Sequence, residues 1–170
     1  MENRVYENYP AGTVLLANGV AISVYALGAY VLGRLGILFS IFYVLYCLWV
    51  EIVVLKSSCV HCYYYGKVCG FGKGKLCSWL FQKGDSQRFI DRQVSWRDIV
   101  PDMMVLVFPL VGGIVLLIKE FSWSLVVTLV ILVFLSLGGN AIVRGSFACK
   151  YCRQRETGCP AQELFGGKKA

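Results

Sequence analysis

Apolar residues in this chain gather into four long runs, and polar or charged residues collect between them. The runs cover residues 13–33, 35–55, 99–118 and 121–143. A helix rises about 1.5 Å per residue and needs about 20 residues to cross a bilayer's hydrocarbon layer, so each run predicts one membrane-spanning helix. A soluble domain burying four such helices would have almost no chain left to cover them. The first run is too long for the apolar core of a signal peptide, about 7–15 residues, and a second span follows it directly. It is therefore expected to be a retained helix.

The connections within each pair of runs are short. Gly33, Arg34 and Gly36 turn the first pair, and Lys119 and Glu120 the second. Such connections predict two antiparallel helical hairpins. Ala17, Ala21, Ala29 and Gly33 fall at four-residue steps, interrupted by Tyr25. With Gly112, Gly113, Gly138 and Gly139 they predict points where helices approach closely, because lipid supplies no hydrophobic drive for association. Pro101 falls in the first turns of the third run, where proline is tolerated, and Pro109 in its middle, where a kink is expected.

Each hairpin is followed by the same cysteine pattern. Residues 59–69 read CVHCYYYGKVC and residues 149–159 read CKYCRQRETGC, both C-x2-C-x6-C. The similarity continues to Leu80-Phe81 and Leu164-Phe165, with six extra residues in the first copy that include Cys77. These features predict an all-α integral membrane protein, a single membrane domain over 1–170 built as a parallel tandem repeat. Repeat one is 11–84, with its cysteine knuckle at 59–81, and repeat two is 99–170, with its knuckle at 149–165. The linker 85–98 is expected to hold an interfacial helix capped by Asp85 or Ser86, with Phe89, Ile90, Val94 and Trp96 at the head-group boundary. Ser95 and Asp98 form a capping pair for the third span.

Composition agrees with this reading. Of 170 residues, 57% are hydrophobic and 16% charged, against about 25% charged in soluble domains. The net charge of +7 is unevenly placed: 15 of the 17 Lys and Arg residues lie before the first run, between the second and third, or after the fourth. The positive-inside rule then predicts a cell (inner) membrane protein with both termini and both knuckles in the cytoplasm. The same charges favour anionic lipid head groups. They are scattered and accompany no groove-reading motif, which excludes nucleic acid as the expected partner.

A cytoplasmic setting disfavours stable disulfides, and a C-x2-C pair lets two thiolates converge on one ion. Cys59, Cys62, Cys69 and Cys77 supply a closed four-cysteine set, while Cys149, Cys152 and Cys159 lack a fourth. His61, the chain's one histidine, is a candidate to complete the second set, alongside Glu156, Glu163 or water. Zinc is the favoured metal. An iron–sulfur cluster is the alternative, although the ferredoxin run C-x2-C-x2-C-x3-C is absent. Thiol–disulfide exchange is a further reading, with Lys56 and Lys150 near the pairs. Cys47 lies within a span as an apolar filler.

Glu51, Asn18 and Asn140 lie inside spans, where polar residues draw functional suspicion, so a small transporter or channel is also weighed. The expected partner of Glu51 is Lys56 or Arg144. Tyr63 to Lys67 and Gly70 to Lys75 make a loop without the phosphate-cradling pattern, and its tyrosines are expected at the membrane interface. The function this predicts is a structural or partner-docking platform held by two metal knuckles, in a protein with no catalytic constellation. Its partners would be the lipid bilayer and a cytosolic or membrane protein, or a second copy of the chain.

Overall fold

The computed structural model describes residues 5–90 and 95–160. Among them every regular element is helical, apart from one isolated bridge between Tyr6 and Cys152. Helix α1 spans Ala11–Leu35, α2 Ile37–Ser57, α3 Lys73–Leu80, α4 Gln87–Ile90, α5 Trp96–Lys119 and α6 Trp123–Val133. The chain continues past α6 through π-helical stretches at Phe134–Gly139 and Val143–Ala148. Four helices are long and apolar enough to cross a membrane: Ala11–Leu35, Ile37–His61, Trp96–Lys119 and Trp123–Ala148. Each coincides with one apolar run; the second and fourth start two residues inside their runs, and the other ends extend beyond them.

The outward side chains fit lipid. Leu15 is 72% exposed, Ile37 70%, Phe42 69% and Ile118 81%. Contiguous apolar surface of that kind is a liability in water and the expected covering of a helix in hydrocarbon.

The chain divides into two compact units. One consists of Asn18–Glu51 and Trp96–Ala141, which take in most of α1 and α2 and all of α5 and α6. Its core is Val24, Val31, Leu32, Tyr43, Cys47, Val50, Val105, Leu125, Leu129 and Leu132. Helices α1 and α2 join at Gly36 alone, so Arg34 is the last turn of α1 rather than part of a loop. They run antiparallel, as Ser40 Oγ donating to the Ala29 carbonyl at 3.0 Å shows. Gly112 and Gly113 are close-approach points, against Leu32 and Leu129 respectively. In this unit the closest approach, however, is at Gly28, where the hydroxyl end of the Tyr43 ring occupies the place a β carbon would take.

Proline chemistry explains what Tyr43 does there. Pro109 has no N–H, so the carbonyl four residues earlier, that of Val105, loses its helical donor. The Tyr43 hydroxyl donates to that carbonyl at 2.9 Å. Tyr46 likewise donates to the Pro101 carbonyl at 2.9 Å.

The second unit gathers Met1–Ala17, Ile52–Ser95 and Ile142–Ala170. It therefore holds all seven cysteines outside the spanning cores. The linker helix is only four residues long, α4, and Gln87 N–H donates to the Asp85 carboxylate at 2.9 Å at its start. Val94 of the expected interfacial helix lies outside the described residues, as do Glu163 and the second Leu-Phe pair, Leu164-Phe165. Helix α5 begins directly after Ser95.

Candidate functional site

The two cysteine patterns fold into turns with the same backbone bonds. Cys62 N–H donates to the Cys59 carbonyl at 3.3 Å, and Cys152 N–H to the Cys149 carbonyl at 3.3 Å. One step on, Tyr65 N–H donates to the Cys62 carbonyl at 3.0 Å and Arg155 N–H to the Cys152 carbonyl at 3.1 Å. Equal spacing in the sequence has become equal geometry in the backbone.

The turns are bound to each other by a reciprocal pair of hydrogen bonds. Tyr63 N–H donates to the Gln154 side-chain carbonyl at 2.7 Å. Arg153 N–H donates to the Tyr64 hydroxyl at 3.0 Å. In each case the residue after the second cysteine of one turn donates to the side chain two residues after the second cysteine of the other. Tyr64 and Gln154 are both buried. Tyr64, one of the tyrosine triplet, is 2% exposed and ties the cysteine turns together.

The N-terminal segment closes the unit. Tyr6 N–H donates to the Tyr151 carbonyl at 3.1 Å, and Tyr9 N–H to the Val68 carbonyl at 2.9 Å. The Tyr64 hydroxyl donates to the Tyr6 carbonyl at 2.5 Å, and the Tyr9 hydroxyl to the Ala148 carbonyl. Residues 6–9 thus strap both turns. Sequence reasoning missed this strap, because a four-residue aromatic and polar stretch carries no periodicity. The one signal was Tyr6 and Tyr9 themselves, large residues that need burial for their rings and partners for their hydroxyls.

Helix α3 seats the third cysteine of the first turn. Gly72 enters it with φ of 70°. Gly74 is required because a β carbon there would fall on the Tyr64 carbonyl oxygen and within 2.7 Å of that of Lys67. Gly74 N–H donates to the Cys69 sulfur at 3.4 Å. Cys77, buried on the same helix, directs its thiol at the Leu55 carbonyl at 3.6 Å.

The thiols of the two turns feel one another. Burial pushes the Cys62 thiol up to about 11; the Tyr64 N–H opposes this, while Cys69 and Cys159 add to it. Burial pushes Cys152 up to about 12, with the Gln154 N–H opposing and Cys62 and Cys149 adding. Cys149 is raised by burial, against the pull of Arg144, and by Cys159. The structure therefore brings the two cysteine sets into one neighbourhood. It also places a backbone N–H favouring the thiolate two residues after the second cysteine in both turns. In the geometry seen, no three His, Cys, Asp or Glu side chains among the described residues converge on one ion position.

His61 Nδ1 lies 2.9 Å from the Asp85 carbonyl oxygen. A carbonyl only accepts, so this contact makes Nδ1 the donor. Glu51 accepts a hydrogen bond from the Tyr25 hydroxyl at 2.6 Å, a partner on α1 that sequence spacing did not suggest. Asn140 Nδ2 bonds the Ser136 carbonyl of its own helix at 3.0 Å. Asn18 is half-buried on α1.

The reciprocal pair makes a sharp prediction. In Tyr64→Phe the Arg153 N–H loses its acceptor and the Tyr6 carbonyl its donor, at a cost of about 1–3 kcal/mol for a buried group left unpaired. Amide exchange at Arg153 is expected to accelerate by at least an order of magnitude. Unchanged exchange there would show that the two turns are held by something else.

No protein-family model matches the chain, and no curated protein or solved structure shows significant similarity to it.

Proposed function

We propose that this is a small integral membrane protein whose cysteine turns are metal knuckles, with zinc as the metal. Joined face to face, they form a cytoplasmic platform that docks a cytosolic or membrane partner. The single observation carrying this is the matched pair of turns, built on the same backbone bonds and locked onto each other by the reciprocal hydrogen bonds. Amides that favour a thiolate have a purpose where the thiolate is a ligand. Seven thiols brought into one small unit repel one another when ionised, and a divalent cation removes that penalty.

The reading assigns Cys59, Cys62, Cys69 and Cys77 to one ion and Cys149, Cys152 and Cys159 to the other. Closing the sites asks for rotation of thiol side chains from the positions seen. His61, with Nδ1–H on a carbonyl, has the arrangement of a ligating histidine. It stands beside Glu156, Glu163 and water as a candidate fourth ligand of the second site.

The reciprocal bonds also support a tandem repeat, two helical hairpins each ending in a knuckle and related by an approximate two-fold axis. The uneven distribution of Lys and Arg supports the cytoplasmic side. Thiol–disulfide exchange is less well supported, since its attacking cysteine has a depressed pKa and Cys62 and Cys152 are pushed the other way.

Metal analysis with a visible spectrum tests the proposal, on protein purified anaerobically in detergent. About two zinc per chain and no colour are expected for two closed sites. Iron with acid-labile sulfide and a visible charge-transfer band would replace the platform with an electron-transfer subunit. Absence of any metal would overturn both.

A further inference from the structure

Helix α3 has two faces of opposite character. Gly74 and Cys77 are buried, and the Cys77 thiol meets the Leu55 carbonyl in the last turns of α2. On the other side Leu76 is 48% exposed, Trp79 79% and Leu80 59%. These three residues follow i, i+3, i+4 spacing and form one stripe. Lys75, also exposed, lies at the stripe's edge. Nothing within the described chain covers the stripe, and a tryptophan flanked by two leucines is a costly surface to leave in water.

The position of α3 identifies what covers it. Its buried face is fixed to the end of a helix apolar enough to cross a membrane, at the level where Lys56 closes that helix. Hydrocarbon gives way to head groups at such a point. Trp is enriched at that depth, and a short amphipathic helix with Lys at its polar edge lies in that plane. The outward surface of α2 is itself apolar there, with Ile52 51% exposed, so the stripe continues a surface already suited to lipid.

We infer that α3 is an interfacial anchor. Leu76, Trp79 and Leu80 enter the acyl boundary of the bilayer, and Lys75 meets anionic head groups. The anchor clamps the cysteine-rich unit to the membrane surface, whether or not its cysteines carry metal. The first copy carries six more residues than the second between its third cysteine and its Leu-Phe pair, and helix α3 lies in that stretch.

Tryptophan fluorescence of the full chain tests the inference, in vesicles of phosphatidylcholine and phosphatidylglycerol. The signal of Trp79 is the difference between the native protein and Trp79→Phe, a change at a side chain exposed enough to leave folding intact. The difference spectrum is expected to be blue-shifted, quenched by lipids brominated near the head group, and quenched severalfold less by aqueous acrylamide than a tryptophan in water. A red, acrylamide-quenched difference spectrum would overturn the anchor. A shielded Trp79 that brominated lipid does not quench would also overturn it, because a second copy of the chain would then be covering the face.

Discussion

Stripping metal from the protein with a chelator at neutral pH is expected to melt the cysteine-rich unit and leave the spanning helices standing. Structural zinc in small knuckles contributes about 10–16 kcal/mol of apparent binding free energy, which is folding free energy for a segment with little core of its own. Among its described residues the buried hydrophobic side chains are Tyr9, Ala17, Leu55, Tyr64, Cys77, Val143 and Ala148. Its remaining order rests on single hydrogen bonds, each worth about 1 kcal/mol net. Amide exchange should therefore become fast at Tyr63, Val68, Arg153 and Arg155 after chelation, and stay slow in α1, α2 and α5. Adding zinc back should restore protection, and Cys62→Ser combined with Cys152→Ser should abolish the restoration. Protection unchanged by chelation would mean that the tyrosine bonds and the strap suffice without metal.

The second large effect belongs to the spanning helices. Gly28→Ala places a methyl group 2.6 Å from the Tyr43 ring carbon that carries the hydroxyl, a distance no packed pair tolerates. Overpacking of this kind costs about 1–3 kcal/mol. Moving the ring also breaks the bond that supplies Val105 with the donor Pro109 cannot give. Tyr43→Phe isolates that second loss, expected near 1 kcal/mol by analogy with hydrogen bonds between membrane helices. Tyr43→Ala opens space, so Gly28→Ala added to it should cost little. Strong coupling of this sign, read from unfolding in mixed micelles, is the expected result. Additive costs would show that the glycine and the tyrosine do not press on one another.

The membrane architecture was legible because apolarity over about 20 residues has one physical solution in lipid, a helix. The ends were less so. Apolar runs mark where hydrocarbon must be met, whereas helices stop where backbone bonding does. The fourth helix thus continues through Arg144 to Ala148 by π-type bonding, with Cys149 N–H reaching back to the Arg144 carbonyl at 2.8 Å. Pro109 announced an orphaned carbonyl in α5, but not that a tyrosine on α2 would serve it. The close approach at Gly28 was hidden for the same reason: the small-residue stripe at Ala17, Ala21, Ala29 and Gly33 follows one helix face and says nothing about the ring arriving from another.

In the cysteine-rich unit, spacing foretold that the two patterns would fold alike. The bonds that join them were illegible. Tyr64 and Gln154 occupy equivalent positions, yet a tyrosine and a glutamine share no motif; what they share is a side-chain oxygen that can accept a backbone N–H. The strap of Tyr6 to Tyr9 depends on partners more than 50 residues away, which no local pattern records. His61 was visible as a possible ligand, while the donor role of its Nδ1 came only from the contact with Asp85.

X-ray absorption at the zinc edge, on the protein as purified, bears most directly on the claim that these cysteines hold metal. The account predicts a sulfur shell at about 2.3 Å with between three and four sulfurs per zinc, the average of a four-cysteine site and a three-cysteine site with one lighter ligand. A shell of nitrogen and oxygen at about 2.0–2.1 Å would mean that any zinc present sits elsewhere on the surface, and would contradict it.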